Sequence, residues 1–354
     1  MRPKEALREA WRDVVSGAGR VVSFAVLYAV VVGGLVLGAG LSSAAAVRDA
    51  RDFVTAGAAV YAMKAAGRID GPACDAMSSL ANVGASGALR ERGDSVSSAR
   101  LPTTPLTLFT VSPGFAALLP ASGDANSAGL SLSSEAAATL GVEAGNTLET
   151  THGVTRVASV FEYPDDGRDP LLAFAAIESV SGTTTFDQCW AMIWPHDEKA
   201  VASLGRTVLP VSGEAADRPI LMQLNQTLGA RFVPSALVDR STMQALVVAA
   251  GGLLGVLFAL RRRLALASDR HVGVSRSAQV LSQSCQVLLW TALGSGAAIA
   301  AVIIAVRLAD EDRLPIFYQS AALVVAGGGA AVVGSAVAVC LVRESALFRY
   351  FKQR

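Results

Sequence analysis

Four uncharged apolar stretches constrain this 354-residue sequence more than any other feature. They cover residues 21–47, 243–260, 287–306 and 321–342, and none contains Asp, Glu, Lys, Arg or His. A helix of about 20 apolar residues crosses the hydrocarbon core of a bilayer. Each stretch therefore predicts a transmembrane helix. Because charges inside the membrane mark proton relays and ion pathways, a proton- or ion-coupled carrier is disfavoured.

The first stretch admits a second interpretation, which is a cleavable signal peptide. Arg8, Arg12 and Arg20 precede the apolar run, and small residues end it at 43–46. The apolar region of a signal peptide has only about 7–15 residues, whereas this run has 27. We favour a retained anchor.

The positions of Lys and Arg predict the orientation. Basic residues concentrate in residues 1–20, 261–286 and 343–354, whereas the short segment 307–320 carries three acidic residues at 310–312. Short cytoplasmic loops retain an excess of Lys and Arg. We expect both termini and segment 261–286 in the cytoplasm, and loop 307–320 outside. Abundant Ala, Gly and Val with only four lysines indicates a GC-rich bacterial genome, and with the apolar stretches we expect the chain in the bacterial cytoplasmic membrane.

Residues 48–242 lie between the first two apolar stretches and are numerous enough for a separate extracytoplasmic domain. Residues 51–63 and 75–92 are rich in Ala and predict helices that continue from the anchor. Short apolar or alternating runs, separated by turn residues, predict strands at 106–111, 154–161, 173–180 and 190–194. The expected fold is four transmembrane helices plus a mixed α+β domain.

The four cysteines divide by predicted topology. Cys74 and Cys189 fall outside, whereas Cys285 and Cys340 lie near cytoplasmic helix ends. This favours a Cys74–Cys189 disulfide in an oxidising compartment. The alternative is two unpaired cysteines in the domain core.

Two of the apolar stretches carry GxxxG patterns. Gly34 and Gly38 lie in the first, and Gly251 and Gly255 in the second. Such spacing lets helix backbones approach closely. It predicts a homodimer or heterodimer in contact through the first two helices.

The sequence offers no motif for catalysis. It contains no GxxxxGK[ST], HExxH, GxSxG or paired CxxC pattern, so we expect no enzyme activity, bound cofactor or metal in this chain. The net charge of +1, with scattered arginines, disfavours nucleic acid as a partner. His196 stands beside Asp197 and Glu198, a cluster more typical of a solvated loop than of a metal site.

Three large side chains alternate at Trp190, Met192 and Trp194, which places them on one face of a strand. Core packing is the favoured interpretation. The alternative is a contact surface for an apolar cargo or a partner, since Trp and Met are common at binding surfaces.

Segment 261–286 is basic and helix-forming, and it is too polar to cross the membrane. One interpretation is a membrane-surface helix whose arginines contact anionic lipid. The other is a docking surface for a soluble cytoplasmic partner.

Several short patterns occur in an informative order along this topology. They are Glu5 to Arg12 before the first helix, the run Arg270-His271-Val272-Gly273-Val274-Ser275-Arg276 after the second, and Val111 to Phe115, Leu130 to Ser133 and Leu140 to Gly145 in the outer domain. With one helix, a large outer domain and three further helices, the chain resembles the MacB/FtsX-like ABC transporter permeases. The resemblance implies that residues 1–20 form a cytoplasmic amphipathic helix before the first span.

The resemblance implies a dimer of permease chains, identical or homologous, driven by a separate cytoplasmic ABC ATPase dimer that binds ATP and Mg. Residues 270–276 would be the segment that couples the ATPase to the outer domain, for export or extrusion of an apolar or peptide-like cargo. The alternative is an FtsX-like mechanotransmitter that regulates an extracytoplasmic protein such as a cell-wall hydrolase. A third interpretation is a membrane-anchored sensor without transport.

Two positions depart from the family pattern. Many members carry a Glu about eight residues before the coupling glycine and another near the start of the third helix, where this chain has Ala265 and Gln286. The departures imply either weaker ATPase docking or one half of a heterodimer.

Overall fold

The computed structural model describes the chain in two compact units. Residues 1–7, 9, 10, 14, 18, 19, 100, 124–127, 152, 183, 211–216, 235–238, 309–312, 344–350 and 352–354 are outside the described residues, and most of the predictions for 5–12, 310–312 and 343–354 fall there. The helical unit comprises Met1–Asp49 and Pro234–Arg354, and the sheet unit comprises Ala50–Val233.

Helices occupy both ends of the chain and strands dominate the middle. In chain order the elements are α1 Val21–Thr55, β1 Val60–Asp70, α2 Gly71–Ala76, β2 Val83–Ser98, β3 Leu101–Val111, β4 Ala121–Gly123, β5 Leu130–Ser133, α3 Ser134–Leu140, β6 Thr147–Thr150, β7 Gly153–Phe161, β8 Ala175–Ser179, β9 Thr185–Ile193, α4 Glu198–Ser203, β10 Ile220–Gln223, α5 Arg240–Arg261, α6 Arg263–His271, α7 Arg276–Leu308 and α8 Arg313–Leu341.

Helices α1, α5, α7 and α8 are each long and apolar enough to cross a membrane. Together with the sheet unit they confirm the predicted fold class. The helices also extend beyond the uncharged runs, since α1 continues to Thr55 and α8 already begins at Arg313. A run of apolar residues marks the part of a helix that fits in a bilayer, and the helix itself continues with polar side chains.

Aromatic side chains form the centre of the helical unit. Tyr28 and Trp290 are fully buried, with ring centroids 5.6 Å apart, and Phe24 meets Phe258 edge to face at 5.0 Å. The Tyr28 hydroxyl donates to the Val324 carbonyl oxygen at 2.9 Å. These contacts join α1, α5, α7 and α8 around one core.

The second glycine pattern serves packing within the chain. A Cβ at Gly251 would overlap the backbone of Gly327, and one at Gly255 would overlap the backbone of Ala331, so α5 and α8 are in direct backbone contact. The expectation that Gly251 and Gly255 contact a partner chain is thereby corrected, because α8 occupies that face. For the other pattern, a Cβ added at Gly34 or at Gly38 would have no described atom of another element within 4 Å, and their contact with a partner stays a prediction.

The sheet unit is built on one mixed sheet. Its strand order is β10-β1-β9-β2-β3-β8-β5-β7-β4, and β6 pairs with β2 and β7. The β3–β8 and β5–β7 pairs are parallel, and the other pairs are antiparallel. The runs predicted as strands correspond to β3, β7, β8 and β9.

Alternation along β9 separates two parts of the core. Cys189 faces a cluster with Phe186 and Ile69, whereas Trp190 faces a cluster with Phe115. Cys189 forms a disulfide with Cys74 of α2, and their Cα atoms are 5.8 Å apart. The predicted disulfide is confirmed, and it fastens α2 onto the central strand of the sheet.

The helices expected at 51–63 and 75–92 are largely wrong. The structure forms β1 and β2 across most of these residues, and only the continuation of α1 to Thr55 and the short α2 are helical. Ala favours helix in isolation, but pairing on both sides of β9 outweighs that preference. Small residues also fit here for steric reasons, since a Cβ at Gly87 would overlap Phe115.

Candidate coupling site

Residues 272–275 form a sharply defined turn between α6 and α7. Gly273 adopts φ +91°, its amide donates to the Arg270 carbonyl at 2.9 Å, and the Val274 amide donates to the Asp269 carbonyl at 2.9 Å. This pair of bonds is a Schellman motif, which ends a helix at a left-handed residue and satisfies its last carbonyl groups. Ser275 then begins α7, because its hydroxyl accepts from the Ala278 amide.

The turn exposes a short surface of mixed character. Val272 is 82% exposed, and His271, Ser275 and Arg276 are exposed beside it or only partly covered. An isolated exposed valine is ordinary. Here the valine sits at the tip of a turn whose backbone is held at both ends, so the surface has a fixed shape.

Arg270 points into the helical unit and makes its contacts there. Its guanidinium donates to Gln279 Oε1 at 3.2 Å, to the Val339 carbonyl at 3.5 Å and to the Val342 carbonyl. Val339 lies in the last turn of α8 and Val342 directly follows the helix, where the helix dipole favours a cation; the Val339 carbonyl also accepts from the Val342 amide at 3.3 Å. Arg270 therefore positions the turn against α8, and its guanidinium is directed away from the exposed surface of the turn.

A polar network lies beneath the turn and includes one of the departures from the family pattern. Gln286 is 1% exposed, and its Oε1 accepts from Arg262 Nη1 at 2.5 Å. Its Nε2 donates to Asp13 Oδ2 at 3.2 Å, and Arg262 also forms an ion pair with Asp13. The amide of Gln286 thus joins the N-terminal segment, the start of α6 and α7, because it can donate and accept at the same time.

The same region encloses a small polar pocket. Asp269, Gln279 and Gln283 line it together with the Asp13–Arg262 pair. Burial raises the pKa of Asp269, against the opposing effect of the nearby Arg262 cation. Gln283 is 3% exposed, and its Oε1 has no hydrogen-bond partner among the described residues. The pocket volume, about 30 Å³, is sufficient for a water molecule.

Sequence reasoning singled out residues 270–276 but not this network. Asp13, Arg262 and Gln286 are far apart in the sequence, and only the way α6 folds back onto α7 brings them together. Asp13 is one of three acidic residues in the N-terminal segment, and the sequence gives no signal of which partner it has.

The aromatic residues singled out in β9 lie in the core of the sheet unit. Trp190 is 1% exposed, contacts Phe115 at a centroid distance of 5.3 Å, and donates from Nε1 to Gln188 Oε1 at 3.0 Å. Met192 is half-buried and packs in the same cluster. A cargo-contact role for Trp190 is therefore corrected, because the buried ring has no surface to offer.

Trp194 follows the end of β9 and is also packed. Its ring lies 5.8 Å from Phe53 and 5.4 Å from Phe232 by centroid. His196 Nδ1 is 2.8 Å from the Tyr61 hydroxyl. Among the described residues, no group of three His, Cys, Asp or Glu side chains is arranged to hold a metal ion.

Side chains of the sheet unit donate hydrogen bonds to the carbonyl groups at the end of α1, and sequence analysis did not single these side chains out. Arg168 Nη2 donates to the Thr55 carbonyl at 2.7 Å, and Asn225 Nδ2 donates to the Ala56 carbonyl at 3.0 Å. Arg168 is also held by both carboxylate oxygens of Asp166, at 2.8 and 2.6 Å, and that hydrogen bonding lowers the pKa of Asp166. The last carbonyl groups of α1 are thus fixed by buried polar side chains.

Known proteins resemble this chain only weakly. No family model matches the chain, and no curated protein matches it. The periplasmic region of MacB from Actinobacillus actinomycetemcomitans is similar at a TM-score of 0.35, with 7% identity, over 50% of this chain and 94% of that structure. The extracellular domain of the noncanonic ABC-type transporter YknZ from Gram-positive bacteria is similar at 0.30, with 10% identity, over 42% and 93%. Similarities this low carry no information about activity.

Proposed function

We propose that this chain is the permease subunit of a MacB/FtsX-like ABC transporter. A separate cytoplasmic ATPase dimer would hydrolyse ATP with Mg, and this chain would convert that cycle into movement of its extracytoplasmic sheet unit. The movement would export or extrude an apolar or peptide-like cargo. This chain performs no catalysis in the proposal, and it pairs with a second permease chain, identical or homologous.

The observation that carries the proposal is the turn at 272–275. It lies between two membrane-competent helices, it exposes Val272 and Arg276, and two capping arrangements fix its backbone. Arg270 ties it to the end of α8, so a force on the turn acts on α7 and α8 together. Such a surface suits a soluble partner that pushes on the helices from the basic, cytoplasmic side.

The continuity of α1 supports the outward half of the mechanism. One uninterrupted helix runs from Val21 to Thr55, and the sheet unit binds its last carbonyl groups through Arg168 and Asn225. A helix is stiff along its axis, so displacement of its membrane segment is passed to the residues that cap it. No proton relay is needed, since the four apolar runs contain no ionisable Asp, Glu, Lys, Arg or His.

The hydrogen bonds of Arg168 and Asn225 to the end of α1 also favour a second candidate function, the FtsX-like mechanotransmitter. In that case the sheet unit would move against a protein partner outside the membrane rather than handle cargo. The two functions differ in whether the sheet unit binds a protein stably. The mechanotransmitter requires such a partner, whereas a cargo exporter needs only the ATPase.

The test is recovery of the ATPase with the tagged full-length chain from its native membrane. We compare Val272→Asp with Val154→Asp, which places the same charge at a 71% exposed valine of β7. Mass spectrometry should find a P-loop ATPase with the unmodified chain and with Val154→Asp, and at least about tenfold less with Val272→Asp, since a buried charge at an interface is costly. Recovery of the chain alone, or equal recovery with both variants, would refute the proposal.

A further inference from the structure

The helical unit contains a second cavity, at the opposite end of its helices from the turn. Its volume is about 470 Å³, within the range of about 300–1,000 Å³ that small-molecule sites occupy. The lining residues come from three helices and are Ala39, Ser42, Ser43, Asp239, Arg240, Met243, Gln319 and Leu323. A smaller cavity of about 60 Å³ shares Arg240, Gln319 and Leu323 with it.

The wall of this cavity has a polar and an apolar part. Ala39, Met243 and Leu323 supply alkyl surface, and they belong to the membrane-competent helices α1, α5 and α8. Ser43 and Gln319 add hydrogen-bonding groups, with the Ser43 hydroxyl 3.5 Å from Gln319 Oε1. A ligand that fills the whole cavity must therefore be amphipathic.

Arg240 is the charged group that remains available to such a ligand. Its side chain makes no ion pair or hydrogen bond with any residue that the structure describes. The neighbouring Asp239 is engaged by its own helix, where its carboxylate accepts from the Thr242 amide at 3.0 Å and from the Ser241 hydroxyl. A cation at the first position of α5 also opposes the helix dipole, so an anion placed there is favoured by both the dipole and the guanidinium.

We propose that this cavity binds a membrane lipid with an anionic phosphate headgroup. The phosphate would pair with Arg240, whose planar guanidinium binds phosphate with two parallel hydrogen bonds. The Ser43 hydroxyl already donates to the Ala39 carbonyl at 3.0 Å, so it would accept from a headgroup hydroxyl, and the Gln319 amide group would donate to an ester oxygen near the phosphate. The first methylene groups would lie against Ala39, Met243 and Leu323. The site is independent of any ATPase, and it occurs within one chain.

The experiment is native mass spectrometry of the full-length chain in detergent, with phosphatidylglycerol or phosphatidylcholine added at equal concentration. The chain should retain phosphatidylglycerol about tenfold better, the ratio expected for one charge-assisted contact. Arg240→Gln should abolish that preference. Arg206→Gln, which removes the same charge from an exposed position of the sheet unit, should leave it unchanged.

Two further arms identify which part of the lipid is bound. Ser42→Trp places a large ring in the cavity and should reduce retention of both lipids while Arg240 remains. Glycerol phosphate, which has the headgroup without chains, should fail to displace the lipid. Equal retention of the two lipids, equal behaviour of the two arginine variants, or displacement by glycerol phosphate would overturn the proposal.

Discussion

Arg270 and Arg276 stand six residues apart in the coupling segment, yet their expected substitution effects differ. Arg270→Gln removes a charged donor from the Val339 and Val342 carbonyls and from Gln279. A hydrogen bond from a charged group contributes about 1.5–3 kcal/mol, and a cation at a helix end adds about 0.3–1 kcal/mol. We therefore expect a loss of roughly 2–4 kcal/mol in the free energy of unfolding.

Arg276→Gln should change that free energy by less than about 0.5 kcal/mol, because Arg276 is exposed at the start of α7. Thermal unfolding of the detergent-purified chain measures both. The midpoint should fall by roughly 5–15 °C for Arg270→Gln and by less than about 2 °C for Arg276→Gln. Arg276→Glu should reduce the amount of ATPase that is recovered with the chain without lowering the unfolding midpoint. Equal midpoints for the two Gln variants would refute the assignment of Arg270 as a positioning residue.

Three further substitutions test the packing described above. Cys189→Ala opens a loop with a sequence separation of 115 and should cost about 5 kcal/mol, seen as faster proteolysis within the sheet unit under oxidising conditions. Gly255→Val collides with the α8 backbone and should cost about 3 kcal/mol by thermal unfolding, whereas Gly38→Val should be tolerated. Asp166→Asn should destabilise the chain at pH 7, and its effect should shrink as the pH falls below the usual carboxyl range. Arg168 lowers the Asp166 pKa, so the stabilisation is lost as the pH falls through the folded value. A pH-independent difference would contradict this.

The membrane helices were predictable because their signal is local. An uncharged run of bilayer length has few alternatives to a spanning helix. The Cys74–Cys189 bond was predictable for a related reason, since the predicted topology left only two cysteines on the outer side. The ends of the helices could not be predicted from the uncharged runs, because α7 begins with the polar stretch from Arg276 to Gln286 and α8 begins at Arg313, before its uncharged run.

The strands β1 and β2 illustrate what local preference misses. Their alanines favour helix, but β9 lies between them and presents Cys189 and Trp190 to opposite faces. Small side chains suit strands that are covered this closely. Only the pairing partners, which are about 100 residues later in the chain, decide the outcome.

In the candidate coupling site, too, local sequence predicts the turn but not the contacts with residues distant in the sequence. Gly273 and Ser275 are residue types that commonly end and begin helices. In the structure Gly273 forms the Schellman motif and Ser275 caps α7. The direction of the Arg270 side chain depends on the end of α8, about 70 residues later. A basic residue in a basic segment is ambiguous between contacting a partner and contacting its own chain.

The central claim is that the turn transmits the ATPase cycle to the sheet unit, and hydrogen exchange on the purified complex tests it most directly. Exchange in Ala50–Val233 is compared with and without ATP and Mg, in the unmodified complex and in Arg276→Glu. The account predicts an ATP-dependent change in this unit, including the peptides around Thr55 and Arg168, which Arg276→Glu suppresses. Identical exchange with and without ATP, in a complex that hydrolyses it, would contradict the claim.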